Sequence, residues 1–204
     1  MSETTIDADS IGLELSLEDF RLPDDIAAEL GTLYGSDPPA TGAEWMETMR
    51  SVKQDMDGEP PTVADLCTTD DGLHTFENDH RRGEYVCVLD PLAVPFLVDE
   101  PGTVRSTTPE REATVEVELA RDGVGYSHPE AVVSLGISDH VDAGDDPTLE
   151  RVYTQVCGYI HVFADESEYR TWAGGVDAVT TSVPVDTGVG IAGEIARTLF
   201  EPAG

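Results

Sequence analysis

Lysine is almost missing from this sequence: of the eleven basic residues among 204, ten are arginine and only Lys53 is lysine. Against 42 acidic residues this leaves a formal net charge of −31. No basic patch can be assembled from so few cations, which excludes nucleic-acid binding by backbone neutralisation. Long hydrophobic runs are also missing. The stretch near Val86–Val98 is broken by Asp90, Pro91 and Pro95, so nothing reads as a membrane span. The first ten residues, MSETTIDADS, lack a basic n-region and an apolar h-region, and a cytoplasmic location is expected. Cysteine is scarce: Cys67, Cys87 and Cys157 cannot all pair, which points to reduced thiols rather than a disulfide framework. There is no internal repeat.

The acids are spread along the whole chain instead of forming one tail. That spread favours adaptation to concentrated salt over a basic partner. Carboxylates hold hydration there, and their repulsion is screened within about 3 Å at 1 M.

Residues 1–15 read as a mobile acidic lead, followed by a capping-box-like SLED (Ser16–Asp19). A helix is expected after Pro23, with Ile26, Leu30 and Leu33 on one side. A second is expected over Glu44–Met56, where Trp45, Met49, Val52 and Met56 recur at helical spacing and read as core. Thr62 is a candidate cap for a short turn running to Cys67, and the polar stretch TTDDGLHTFENDHRRGE reads as loop. From Tyr85 onward β-branched runs dominate: ATVEVELA, AVVSLGI, RVYTQVCGYIHVF and DAVTTSVPV all read as strands. Short helices are expected over Pro91–Val98, Glu166–Trp172 and Gly190–Phe200. The fold class is therefore α+β: a small helical N-terminal part over 1–80, then a mostly antiparallel sheet domain with short flanking helices over 81–204. GVGIAG (Gly188–Gly193) formally matches a dinucleotide fingerprint, but the chain ends eleven residues later, with no room for the βαβ unit such a site needs. It reads as a glycine-rich turn opening the last helix.

Chemistry concentrates in YVCVLDPLAVPF (Tyr85–Phe96). Asp90 directly precedes Pro91, which fits a helix N-cap, with Cys87 as a small buried hydrophobe. The same placement also fits function. A thiol near a helix N-terminus ionises more readily, and a neighbouring carboxylate can carry its proton. Cys157, read on a strand, shares a face with Tyr153, Tyr159 and His161, next to Gly158. Two thiols and one carboxylate, Cys87, Cys157 and Asp90, make a poor closed zinc site and suit a soft ion such as mercury(II) better.

Two segments resemble the catalytic domain of the organomercurial lyase (alkylmercury lyase) family, over roughly residues 81–200. One is Cys87-Val88-Leu89-Asp90, like the family's C-x-L-D followed by an apolar, proline-containing helix. The other is Cys157-Gly158-Tyr159-Ile160-His161-Val162-Phe163-Ala164, like its C-x-x-V/I-H-x-F-A. The resemblance implies cleavage of a carbon–mercury bond to a hydrocarbon and Hg(II), with Cys87, Asp90 and Cys157 as catalytic residues. Cys87 and Cys157 would hold the mercury of substrate and product, with Asp90 as a further ligand, and no organic cofactor is needed. The product ion would pass to small thiols or to a mercury-handling protein. The chain departs from the family in three ways. Gly72–Glu84 is short for the wing of a winged-helix-like N-terminal domain. RSTTPE (Arg105–Glu110) stands where a further cysteine is often found, and Gly158 stands where some members have a second adjacent cysteine. Cys67 matches no family motif and is expected to be structural. The alternative to a lyase is a non-enzymatic soft-metal binder, for copper(I) or mercury, acting as chaperone or sensor.

Overall fold

A computed structural model of the chain describes residues 6, 11, 13, 15–57, 61–110, 113–141 and 149–200. Two amphipathic helices open it: α1 (Asp24–Tyr34) and α2 (Gly42–Asp57). Ile26, Leu30 and Leu33 of α1 are buried, as their spacing requires, and the helix ends at Gly35 in the left-handed conformation that glycine adopts without strain. Trp45 and Met46 of α2 are buried, while Lys53 on the same helix is 7% exposed. Thr62 and Asp65 then cap a single 3-10 turn reciprocally. The SLED segment forms a hydrogen-bonded turn on the Ser16 carbonyl and not a helix.

Five antiparallel strands follow in the spatial order β2-β1-β3-β4-β5: β1 (His74–Glu77), β2 (Arg82–Tyr85), β3 (Gly102–Thr107), β4 (Thr114–Ala120) and β5 (Gly123–Tyr126). In β4 the buried Val115, Val117 and Leu119 alternate with wetter neighbours, and Val117 faces Val104 of β3. A second sheet, ordered β7-β6-β8, is built from β6 (Val132–Ser138), β7 (Val162–Phe163) and β8 (Ala178–Pro184), again antiparallel. Helix α3 (Leu89–Val98) lies against α6 (Val185–Leu199), with α4 (Leu149–Gln155) and α5 (Glu166–Ala173) short and peripheral to that pair. The architecture is α+β on antiparallel sheet. No helix among the described residues is long and apolar enough to cross a membrane.

Several expectations need correction. The polar stretch expected to be loop contains the hairpin β1–β2, closed by a turn in which the Asn78 side chain accepts the N–H groups of His80 and Arg81. Short strands carrying charged residues give little hydrophobic signal; β1 is recruited by its partner β3. This hairpin spans residues 80 and 81, so the sheet begins N-terminal of the position where the sequence changes texture. RVYTQVCGYIHVF is not one strand: it forms α4, a 3-10 turn over Cys157–Tyr159 and only the two-residue β7. Its buried Val152, Val156 and Ile160 recur every four residues, a helical period hidden among β-branched side chains. Tyr153, Cys157, Tyr159 and His161 therefore do not share a strand face; the Tyr153 side chain lies outside the described residues.

GVGIAG lies wholly inside α6 and does not open it. A methyl group on Gly188 would stand 2.6 Å from Val133 Cγ2, and one on Gly190 would stand 3.1 Å from Leu15 Cβ. The glycines let the helix approach β6 and the N-terminal segment closely. Of the expected acidic lead, Ile6 is buried and donates its N–H to Asp99 Oδ1 at 2.8 Å; most of residues 1–15 lies outside the described residues.

Candidate active site

The three cysteines sit on three chain segments that backbone hydrogen bonds tie together. The Val86 N–H donates to the Cys67 carbonyl at 3.0 Å, and the Val88 N–H donates to the Ile160 carbonyl, also at 3.0 Å. Cys87, between these two donors, is thereby fixed beside both other segments. Cys67, Cys87 and Cys157 are all buried free thiols. The Cys157 thiol is hydrogen-bonded to both Cys87 and Cys67, so it stands between them.

Asp90 is not the cap of its helix. Val88 holds that position, Asp90 lies in the first turn, and its Oδ2 accepts the Cys67 N–H at 2.6 Å. The carboxylate that could have satisfied its own helix is turned onto the neighbouring segment. Pro91 follows at the third helical position, where an N–H would have no intrahelical partner.

An apolar cavity of about 90 Å³ reaches this cluster. Cys87, Cys157 and Asp90 line it together, and Cys67 does not. Its walls come from Trp45, Met46 and Met49 of α2, Val152 of α4, and Ile195 and Leu199 of α6. Lys53 and Asp65, paired at 2.8 Å, supply its other charged groups.

Burial sets the electrostatics. It pushes the Asp90 carboxyl up to about 6, against the pull of the Cys67 N–H. By surface Asp90 is only half-buried, and it lines the cavity, so the shift is an upper bound on what burial does there. Burial also raises the Cys87 thiol, opposed by its hydrogen bond with Cys157 and by the Leu89 and Asp90 N–H groups at the start of α3. Cys157 is held well above the usual thiol value by its hydrogen bonds to Cys67 and Cys87 and then by burial. The N–H groups at the start of α3 thus favour a thiolate at Cys87. The thiols are protonated at rest, and binding a soft cation must displace their protons.

Behind Cys157 runs a buried polar chain that the sequence did not reveal. His161 Nε2 lies 2.8 Å from the Gly158 carbonyl, His161 Nδ1 lies 3.0 Å from His74 Nε2, and His74 Nδ1 lies 2.9 Å from Ser106 Oγ. A carbonyl only accepts, so His161 carries its hydrogen on Nε2. His74 then donates from Nε2, and Ser106 donates to His74 Nδ1. Burial lowers His161 to about 4 and His74 well below the usual histidine value, so both are neutral. The chain pins the Cys157–Ile160 turn from beneath. Its members come from β1, β3 and the residue just before β7, which no sequence spacing connects.

The expected trio, Cys87, Asp90 and Cys157, is brought to one cavity. Cys67, expected to be structural, lies in the same cluster. Among the described residues no group of three or more His, Cys, Asp or Glu side chains is placed so that it could hold a metal ion.

Comparison with known proteins identifies the family. The family model of alkylmercury lyase matches residues 67–197, beginning at Cys67, running through both thiol segments and ending within α6. An alkylmercury lyase of Pseudomonas putida is 30% identical over 129 residues, which cover 63% of this chain. The match spans 57% of the length of that curated relative. Among solved structures, the mercury-bound form of MerB2 superposes with a TM-score of 0.48 at 11% identity, covering 90% of this chain and 94% of that one. With the family model matching well over half of its length, this chain belongs to the alkylmercury lyase family.

Proposed function

We propose that the protein is an organomercurial lyase that protonates the carbon–mercury bond of R–Hg⁺, releasing R–H and Hg(II). The observation that carries this reading is the single apolar cavity wall shared by Cys87, Cys157 and Asp90. A soft cation bearing an organic group needs thiols for its metal, apolar surface for its carbon, and a proton source between them.

The residues assign an order. Cys87, whose thiolate the N–H groups at the start of α3 favour, bonds to mercury first, and its proton moves to the Asp90 carboxylate. A carboxyl with a pKa of about 6 accepts and returns a proton near neutrality at little cost. Cys157 adds as the second sulfur and pushes electron density toward the carbon. The carbon–mercury bond then breaks, its electron pair takes the Asp90 proton, and R–H forms. The Cys157 proton leaves through the emptied carboxylate to solvent. Hg(II) is left bridged by Cys87 and Cys157, and small thiols or a mercury-handling protein finally remove it from the protein. No organic cofactor enters this sequence. The scattered acidic surface suits a cell interior of concentrated salt.

The test is Asp90→Asn. Asn has nearly the same shape and its side-chain oxygen still accepts the Cys67 N–H, but it carries no proton. With phenylmercury and excess thiol in high salt, release of benzene is expected to fall by roughly 10²–10⁴-fold, while Hg(II) is still bound. Normal turnover by this variant would remove Asp90 from the chemistry. Metal binding by the wild type without any hydrocarbon release would leave the soft-metal binder standing instead.

A further inference from the structure

Cys67 is a thiol that the proposed chemistry does not use, yet the fold goes to some length to place it. Its carbonyl is paired with Val86, its N–H is held by Asp90, and its thiol is hydrogen-bonded to Cys157. Cys87 and Cys157 line the cavity, whereas Cys67 does not. Cys157 is therefore the one sulfur in contact with both others, and two different thiol pairs exist around it.

We propose that Cys67 and Cys157 form a second mercury seat, to which the Hg(II) product shifts from the Cys87–Cys157 pair. Two sulfurs satisfy mercury(II), so each pair is a sufficient site without a preformed three-ligand cage. The shift is a thiol exchange. The Cys67 sulfur bonds to mercury, the Cys87 sulfur–mercury bond breaks, and the Cys67 proton ends on the Cys87 sulfur. The same number of mercury–sulfur bonds exists before and after, and no electron changes hands. The step needs only rotation of side chains already in contact. Its consequence is that Cys87 regains its thiol at the cavity wall while the ion is still held by two sulfurs. The inference rests on the lyase reading for its place in a cycle, but the seat itself is a property of the two sulfurs.

The experiment uses the full chain loaded with one equivalent of HgCl₂ and no organomercurial, then challenged with increasing dithiothreitol. Cys87→Ser keeps the Cys67–Cys157 pair and is expected to retain mercury within about tenfold of wild type. The Cys67→Ser, Cys87→Ser double variant keeps only Cys157 and is expected to fall by at least about 100-fold. Loss from Cys87→Ser as easy as from the double variant would overturn the second seat. Because removing Cys67 could disturb folding, ¹³C NMR of the wild type gives an independent reading. With cysteine labelled at ¹³Cβ, a shift of the Cys67 Cβ resonance when the wild type is loaded supports the seat, and a Cys67 Cβ resonance that stays at its free-thiol position overturns it. Failure of wild type to release benzene from phenylmercury would sink the lyase reading without touching either mercury result.

Discussion

Burial acts in opposite directions on Asp90 and His161, and the consequence can be measured. Asp90 has a folded pKa of about 6 against an ordinary 3.8, so the folded chain binds its proton more tightly; its contribution to stability is present below 3.8 and lost as pH rises through 6. His161 has a folded pKa of about 4 against 6.5, so its contribution is present above 6.5 and lost as pH falls through 4. Between about pH 4 and 6 the two offset each other, each by roughly 1–3 kcal/mol, the lower figure applying to the cavity-facing Asp90. Asp90→Asn removes one side of this balance. Its stability relative to wild type is expected to drop by roughly 1–3 kcal/mol on going from pH 7 to pH 4.5, read from urea midpoints at fixed salt. A difference that does not change with pH would contradict the raised carboxyl. The thiols give a second prediction at this scale: Cys87→Ser and Cys157→Ser each abolish hydrocarbon release, because each removes one of the two sulfurs that load the carbon with charge. Comparable turnover in either variant would place the chemistry elsewhere.

At the scale of elements, α6 decides how tightly the molecule closes. Its glycines place it against β6 and Leu15, while Ile195 and Leu199 reach the cavity from its far end. Gly188→Ala would bring a methyl group to 2.6 Å from the stiff, β-branched Val133, forcing either α6 or β6 to move. Overpacking of this kind costs about 1–3 kcal/mol, so the urea midpoint is expected to fall even though alanine is the better helix former. An unchanged or higher midpoint would mean that the contact yields freely. At the N-terminus of α5, Asp165 accepts from Ser167 and Glu168 as a side-chain cap should, and the element runs close to its expected length.

For the whole molecule the dominant quantity is the net charge of −31. Among the described residues, ion pairs such as Arg82 with Glu77 and Arg105 with Glu116 are exposed and of small worth. Carboxylate repulsion therefore opposes folding in dilute buffer and is screened in concentrated salt. The melting temperature is expected to rise as potassium chloride increases from about 0.1 M toward molar concentration. A flat or falling profile would point instead to a basic partner for the acidic surface. The lone lysine stands apart from this surface: Lys53 is buried, paired with Asp65 on the segment leading to Cys67, and so ties α2 to the cavity.

By itself the sequence determined the α+β class, the two opening helices, the alternating strand β4, and the pairing of Cys87 with Asp90 on one helix start, because each depends on local period or on neighbours within a turn. Resemblance at the two thiol segments added Cys157. Only the tertiary structure decided the rest. Cys67 joins the cluster through a carbonyl bonded to Val86 and an N–H bonded to Asp90, contacts 19 and 23 residues away in sequence. α4 is a helix because Val152 and Val156 are buried toward the cavity, which outweighs the strand preference of β-branched side chains. His74, on a strand too polar to be recognised, meets His161 across 87 positions. Local preference is encoded residue by residue, whereas burial and hydrogen-bond satisfaction depend on segments that meet only once the chain has closed.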